Sequence, residues 1–175
     1  MVAWSRARAV GVSVMVASIG LVVGCVGDAG DDATARDAAV YRSVVFDLVD
    51  RSAVVLDDSD QLPVLFVEGL ASEVPLEVQV EVVADFTQLY EVRFIDELEE
   101  AIEPDTTGRP VRSNSLLIGL GPVVGDTTAS VRGELYLRDG EAQAYGYRLT
   151  ASGNGQWAIV GDPEPIVPEG FAEDP

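Results

Sequence analysis

The sequence predicts an α+β fold in one domain, with an antiparallel β-meander and N-terminal helices packed on one of its faces. Apolar residues recur at helical spacing in the stretch RDAAVYRSVVFDLVDRSA, positions 36–53. The last third of the chain contains four strand-like runs separated by short turns rich in glycine. Local connections of this kind join neighbouring antiparallel strands, and the preceding helices then cover one face of the sheet.

The first predicted helix starts near Arg36, where Thr34 or Asp37 is expected to be the N-cap. Its apolar positions are Val40, Val44, Val45, Leu48 and Val49. The acidic stretch at 57–61 predicts a turn, and LPVLFVEG at 62–69 predicts a short buried strand closed by a glycine.

The segment PLEVQVEVVADFTQLY, positions 75–90, carries two competing signals. Apolar and polar residues alternate from Leu76 to Val82, which is typical of a strand. Pro75 at a first-turn position after Ser72, and an apolar stripe that continues to Tyr90, favour a helix. Because sixteen residues is long for one strand, we interpret this segment as a helix.

The sequence signals for the remaining elements do not conflict. EVRFID at 91–96 predicts a strand, ELEEAI at 97–102 one or two helical turns, and 104–110 a loop. The four strand-like runs are 115–123, 129–139, 141–152 and 155–161. This order, helices followed by a sheet that ends in a Trp-containing strand, resembles the cystatin-like and nuclear transport factor 2-like layouts.

The N-terminal region has the layout of a secretory signal peptide. Arg6 and Arg8 precede an apolar run from Ala9 to Val23, and no acidic residue occurs before Asp28. The run is shorter than the roughly 20 residues needed to span the hydrocarbon core, so an uncleaved anchor is the weaker alternative.

The apolar run ends in Val22-Val23-Gly24-Cys25, which resembles the lipobox of bacterial lipoproteins. This resemblance implies cleavage after Gly24 and a covalent diacylglycerol on the thiol of Cys25, which becomes the N-terminus of the mature protein. It also implies a lipoprotein, with fatty acyl chains such as palmitate, held on the extracytoplasmic face of the cell membrane. No other cysteine is present, so the domain is expected to fold without an internal disulfide.

Composition divides the chain into four parts. Residues 1–24 are the predicted signal peptide and 25–35 a small, acidic, flexible spacer. Residues 36–162 form the single domain, and 163–175 are predicted to be a disordered, acidic, proline-rich tail.

Alternation within 129–139 places Arg132, Glu134 and Arg138 on one face of the predicted strand. Tyr136 shares that face, so Tyr136, Arg132 and Arg138 form a candidate binding face for an anion, unless Glu134 and other acids pair with the arginines. Aromatic residues on a sheet more often belong to its core, where we expect Trp157.

The sequence predicts no metal centre. The densest acidic cluster is Asp96, Glu97, Glu99, Glu100, Glu103 and Asp105. Neither this cluster nor 57–60 matches the calcium-binding EF-hand pattern, and both are interpreted as solvated turns. The glycines of 119–125 match no phosphate-binding loop and are interpreted as a strand exit. The only cofactor expected is the diacylglycerol at Cys25.

Charge and composition narrow the function. The formal net charge of −19 argues against nucleic-acid binding, and histidine is absent. All basic residues are arginine, so catalysis that depends on histidine or lysine is excluded. The chain is therefore interpreted as a non-catalytic interaction or accessory module with a protein partner in the cell envelope. The alternatives are a small-ligand-binding domain and a carboxylate-dependent hydrolase of an envelope polymer.

Overall fold

The computed structural model describes residues 29–52, 61–104, 106–108, 110–137, 141–153 and 155–167. Within this part the chain forms two α-helices, a one-turn 3₁₀ helix and a seven-stranded mixed sheet. The helices are α1 Ala29–Arg51 and α2 Leu76–Phe86, and the 3₁₀ helix is Leu98–Glu100. The strands are β1 Val64–Gly69, β2 Glu91–Ile95, β3 Ser115–Leu120, β4 Thr128–Tyr136, β5 Ala142–Ala151, β6 Trp157–Ile159 and β7 Glu164–Ile166. The predicted α+β class is confirmed, as is the helix in the ambiguous segment.

The sheet has the strand order β2-β1-β3-β4-β5-β6, and β7 also pairs with β5. Strands β3 to β6 are antiparallel neighbours in chain order, which is the predicted meander. Strand β1, however, is parallel to both β2 and β3, so the expectation of an antiparallel sheet is corrected for this half. The reason lies in the connections. Helix α2 and the segment 96–114 each return the chain to the starting end of the preceding strand, so the next strand runs in the same direction.

Both helices cover one face of the sheet and enclose the main core. Its members are buried residues of α1, α2 and alternate strand positions, such as Val44, Leu48, Val82, Leu65 and Ile118. The two helices contact each other through Phe46 and Phe86, whose ring centroids lie 4.4 Å apart.

A smaller cluster lies on the opposite, outer face of the sheet. The segment around the 3₁₀ helix folds over this face and contributes Ala101, Ile102 and Val111. They pack against outward-facing strand residues, among them Phe66 and Leu117. This segment covers the β1–β3 part of the outer face, so both faces of the sheet are apolar there.

Several element boundaries differ from the predictions, and three of the differences bear on the predicted caps and tail. Helix α1 begins at Ala29, within the predicted spacer, so Thr34 and Asp37 lie inside the helix and are not its cap. Alanine and aspartate in this stretch suit a helix start, although they offer no apolar face to a sequence pattern. Helix α2 begins at Leu76 with Pro75, and not Ser72, in the N-cap position, and it has no side-chain capping hydrogen bond.

The third difference is β7, which lies within the predicted tail. Its three residues pair with β5, with Glu164 opposite Gly146 and Ile166 opposite Ala144. The prolines in and around this segment argue against a strand, so the sequence did not predict it. An edge strand tolerates proline, however, because one side of its backbone has no neighbour.

Candidate functional site

The predicted lipid-attachment residues, Gly24 and Cys25, lie outside the described residues, as do Arg138 and the acidic turn 57–60. The lipobox interpretation therefore stays a prediction. Arg132 and Tyr136, the other two members of the candidate binding face, lie on the outer face of β4 with Glu134 between them.

Arg132 is engaged by the neighbouring acid. Its Nε donates a hydrogen bond to Oε1 of Glu134 at 2.9 Å, and Nη2 donates to the same oxygen. Glu134 is only 2% exposed, whereas the Arg132 side chain is 22% exposed. The pair is therefore a largely buried ion pair, in which the guanidinium neutralises a carboxylate that water does not reach.

Tyr136 extends this polar row to β1. Its hydroxyl donates to Oε2 of Glu68 at 3.5 Å, the limit of a hydrogen bond. Burial raises the pKa of Glu68 above its ordinary value, and the charges of Glu134 and Glu99 raise it further, whereas the hydrogen bond from Tyr136 lowers it. Burial, followed by the charges of Glu134 and Glu68, also raises the pKa of Tyr136.

A shallow depression of about 440 Å³ adjoins this row on β4 and β5. It is lined by Arg132 and the exposed Arg148, but also by Asp162 and Glu164. Because Arg132 is paired and two acids share the lining, the depression has mixed charge. It gives little support to an anion site.

Two other aromatic residues of the sheet, Tyr147 and Trp157, belong to or pack against the main core. The Tyr147 hydroxyl is buried against α1 and donates to Oδ2 of Asp47 at 2.8 Å. Trp157 is half-buried and packs against the main core, near the position expected for it. The acidic cluster forms the 3₁₀ helix and its flanks, apart from Asp105, which is not described. No group of three or more His, Cys, Asp or Glu among the described residues is placed to hold a metal ion.

A groove between β2 and α2 is the feature that sequence reasoning missed. We call it the β2–α2 groove and define it by the two depressions that lie along both elements. The larger, about 790 Å³, is lined by Leu62, Val83, Thr87, Tyr90 and Val92, and it extends past the start of β1 to Val64, Ser113 and Asn114. The smaller, about 110 Å³, is lined by Glu73, Gln79, Phe94 and Asp96, among others.

The apolar lining of this groove continues onto the exposed side of α2. Val83 lies at the groove, and Val80 and Leu76 occupy the preceding positions of the same helical stripe. Val80 is 60% exposed and Leu76 69% exposed, while Leu62 at the end of the groove is 50% exposed. Large apolar side chains that remain in water beside a depression are typical of a protein–protein contact surface.

One sequence signal could have revealed this surface. Between Leu76 and Phe86 the helix carries more large apolar residues than one buried face can hold. The structure buries Val78, Val82 and Phe86 and leaves Leu76 and Val80 outside. The same excess made the segment look like a strand.

Within the described residues, no helix combines the length and apolar character required to cross a membrane. No protein-family model matches the chain, and no curated protein or solved structure matches it either.

Proposed function

We propose that this chain is an exported lipoprotein, anchored at Cys25 on the extracytoplasmic face of the cell membrane, whose domain is a non-catalytic interaction module. In this proposal the domain binds a protein partner of the cell envelope in the β2–α2 groove. The lipobox-like end of the apolar N-terminal run supports the anchor.

The exposed apolar stripe along the groove is the observation that carries the interaction part. Apolar surface removed from water contributes about 25 cal/mol per Å², so burial of the exposed Leu76 and Val80 side chains against a partner would favour binding. An acidic chain of net charge −19 remains soluble with such a stripe exposed, because its charges oppose self-association.

The hydrolase alternative has less support. Glu68 and Glu134 lie near each other and differ in environment, as a pair of catalytic carboxylates would. However, Glu134 is 2% exposed and is held by Arg132, so its oxygens are not presented to a substrate.

Photo-crosslinking in intact cells tests the proposal. A photoreactive amino acid replaces Val80 in the full-length chain, and a matched control carries it at Thr127, an exposed residue of the β3–β4 connection. We expect a reproducible crosslinked envelope protein from position 80 and none from position 127. With the photoreactive residue at position 80, the additional change Leu76→Asp should abolish the crosslink. The same products from both positions, or none from position 80, would contradict the proposal.

A further inference from the structure

We propose that the β2–α2 groove takes a segment of its partner as an additional β-strand beside β2, and that this segment is basic with apolar residues at alternate positions. This inference rests on the proposed function, since it specifies the chemistry of the partner for the same groove.

The backbone of β2 supplies the first argument. The Glu91 N–H donates to the carbonyl of Pro63 at 2.9 Å, and Glu91 is opposite Val64 in a parallel ladder. In such a ladder alternate residues direct both their N–H and C=O groups to the same side. Positions 91, 93 and 95 therefore bond to β1, and Val92 and Phe94 direct their backbone groups away from it.

The outer side of β2 is the edge of the sheet, because β2 has only β1 as a strand neighbour within the described residues. Among the described residues, no turn or loop hydrogen bond involves the N–H or C=O of Val92 or Phe94. Two donors and two acceptors thus lie in a row along the groove, which is the pattern that a peptide strand recognises.

The side chains that line the groove determine which positions of the added strand are apolar. Residues of an added strand that lie opposite Val92 and Phe94 share their face of the sheet, which is the face towards α2. There they meet the larger depression, with Val83, and the smaller one, with Gln79. Apolar residues two positions apart would bury against this lining, and the residues between them would point to the outer face.

The charge at one end of the groove indicates where the partner segment is basic. Glu73 and Asp96 line the smaller depression at the carboxyl end of β2, and both are exposed. With a net charge of −19 behind them, they favour a partner segment that has a lysine or arginine at this end. Strand β2 has five residues, so the segment needs about five residues to pair along its length.

A backbone substitution isolates strand addition from side-chain packing. Val92→Pro removes an outward N–H but no bond to β1, whereas Val92→Ala shortens the same side chain and keeps the N–H. The probe is a dye-labelled seven-residue peptide of alternating valine and threonine with a lysine at each end. Its binding to the full-length chain in detergent is measured by fluorescence anisotropy, after circular dichroism confirms that both variants are folded.

We expect the wild-type chain to bind the peptide, Val92→Pro to bind it about tenfold more weakly, and Val92→Ala within about threefold of wild type. A peptide with glutamates in place of the lysines should bind at least about tenfold more weakly at low salt. Equal weakening by both variants, equal binding of both peptides, or no binding to wild type would overturn the inference. If one of these outcomes occurs and position 80 still gives its crosslink, strand addition fails and the interaction module stands. If the chain whose only change is the photoreactive residue at position 80 gives no crosslink, both proposals fail.

Discussion

Glu134 is the one acidic side chain classed as buried among the described residues, and Arg132 supplies its counter-charge. A buried ion pair stabilises a fold little compared with an apolar pair of the same shape, but removal of one partner is costly. The remaining charge then has neither water nor a counter-ion.

We therefore expect Arg132→Met to lower the free energy of unfolding by about 3 kcal/mol. Arg93→Met is the matched control, because Arg93 pairs with Glu91 on β2 and both side chains are about half exposed. That change should cost less than about 1 kcal/mol. Urea unfolding of the two variants measures both values, and equal losses would show that burial of Glu134 is not the cause.

Glu68 makes stability depend on pH in a defined direction. Burial raises the pKa of Glu68 in the folded chain above its ordinary value of 4.5, so the folded state holds this proton more tightly than the unfolded chain. The stabilisation is complete below the unfolded pKa and is lost as the pH rises through the folded pKa.

Glu68→Gln keeps an acceptor for Tyr136 and removes the charge. We expect this variant to gain stability relative to wild type as the pH rises from about 4.5 to 7. Thermal unfolding at several pH values gives the difference, and Glu81→Gln on the exposed side of α2 corrects for the general loss of negative charge. A difference between Glu68→Gln and wild type that does not change with pH would contradict the assigned environment of Glu68.

At the residue scale, alternation correctly predicted that Arg132 and Glu134 share a face, with an apolar face behind them. It could not predict that Glu134 is buried, because burial depends on what covers the outer face.

Helix α1 packs on the sheet at Gly133 of β4. A Cβ atom added there would lie 2.9 Å from a ring carbon of Tyr147 and 3.1 Å from methyl groups of Leu48 and Val44. Since real Cβ atoms do not approach so closely, the helix and sheet are in contact across this glycine.

Gly133→Ala should accordingly destabilise the fold by about 1–3 kcal/mol, as overpacking of a core does. Gly153→Ala serves as the control, because no atom lies within 4 Å of its added Cβ. Both changes reduce the freedom of the unfolded chain similarly, so their difference reports the contact. Chemical denaturation compares them, and equal midpoints would mean that α1 does not pack on this glycine.

At the element scale, the helices and the strands other than β7 were predictable from local patterns, whereas the parallel pairing of β1 with β2 and β3 was not. The short glycine-rich turns and the strand-like runs between them predicted β4 and β5 as neighbours, which is confirmed. Nothing local shows that α2 is a crossover, because its sequence is the same whether β2 lies parallel or antiparallel to β1.

At the scale of the whole molecule, the proposed lipid anchor leads to a prediction that does not depend on the stability of the domain. Cys25→Ala should move the protein from the membrane fraction to the soluble fraction, because the acyl chains supply the membrane affinity. The thermal unfolding of the domain should not change. Val26→Ala, which keeps the thiol, should stay with the membrane. A Cys25→Ala protein that still requires detergent for extraction would indicate an uncleaved apolar helix instead.

The order of helices and strands as far as β6, the apolar face of β4 and the acidic composition follow from the sequence alone. They depend on the 3.6- and two-residue periods and on composition, which are local properties. The parallel half of the sheet, the buried pairing of Arg132 with Glu134 and the β2–α2 groove were decided only by the tertiary structure. Each of these brings together residues that are distant in the chain, and a local period carries no information about which distant residues meet.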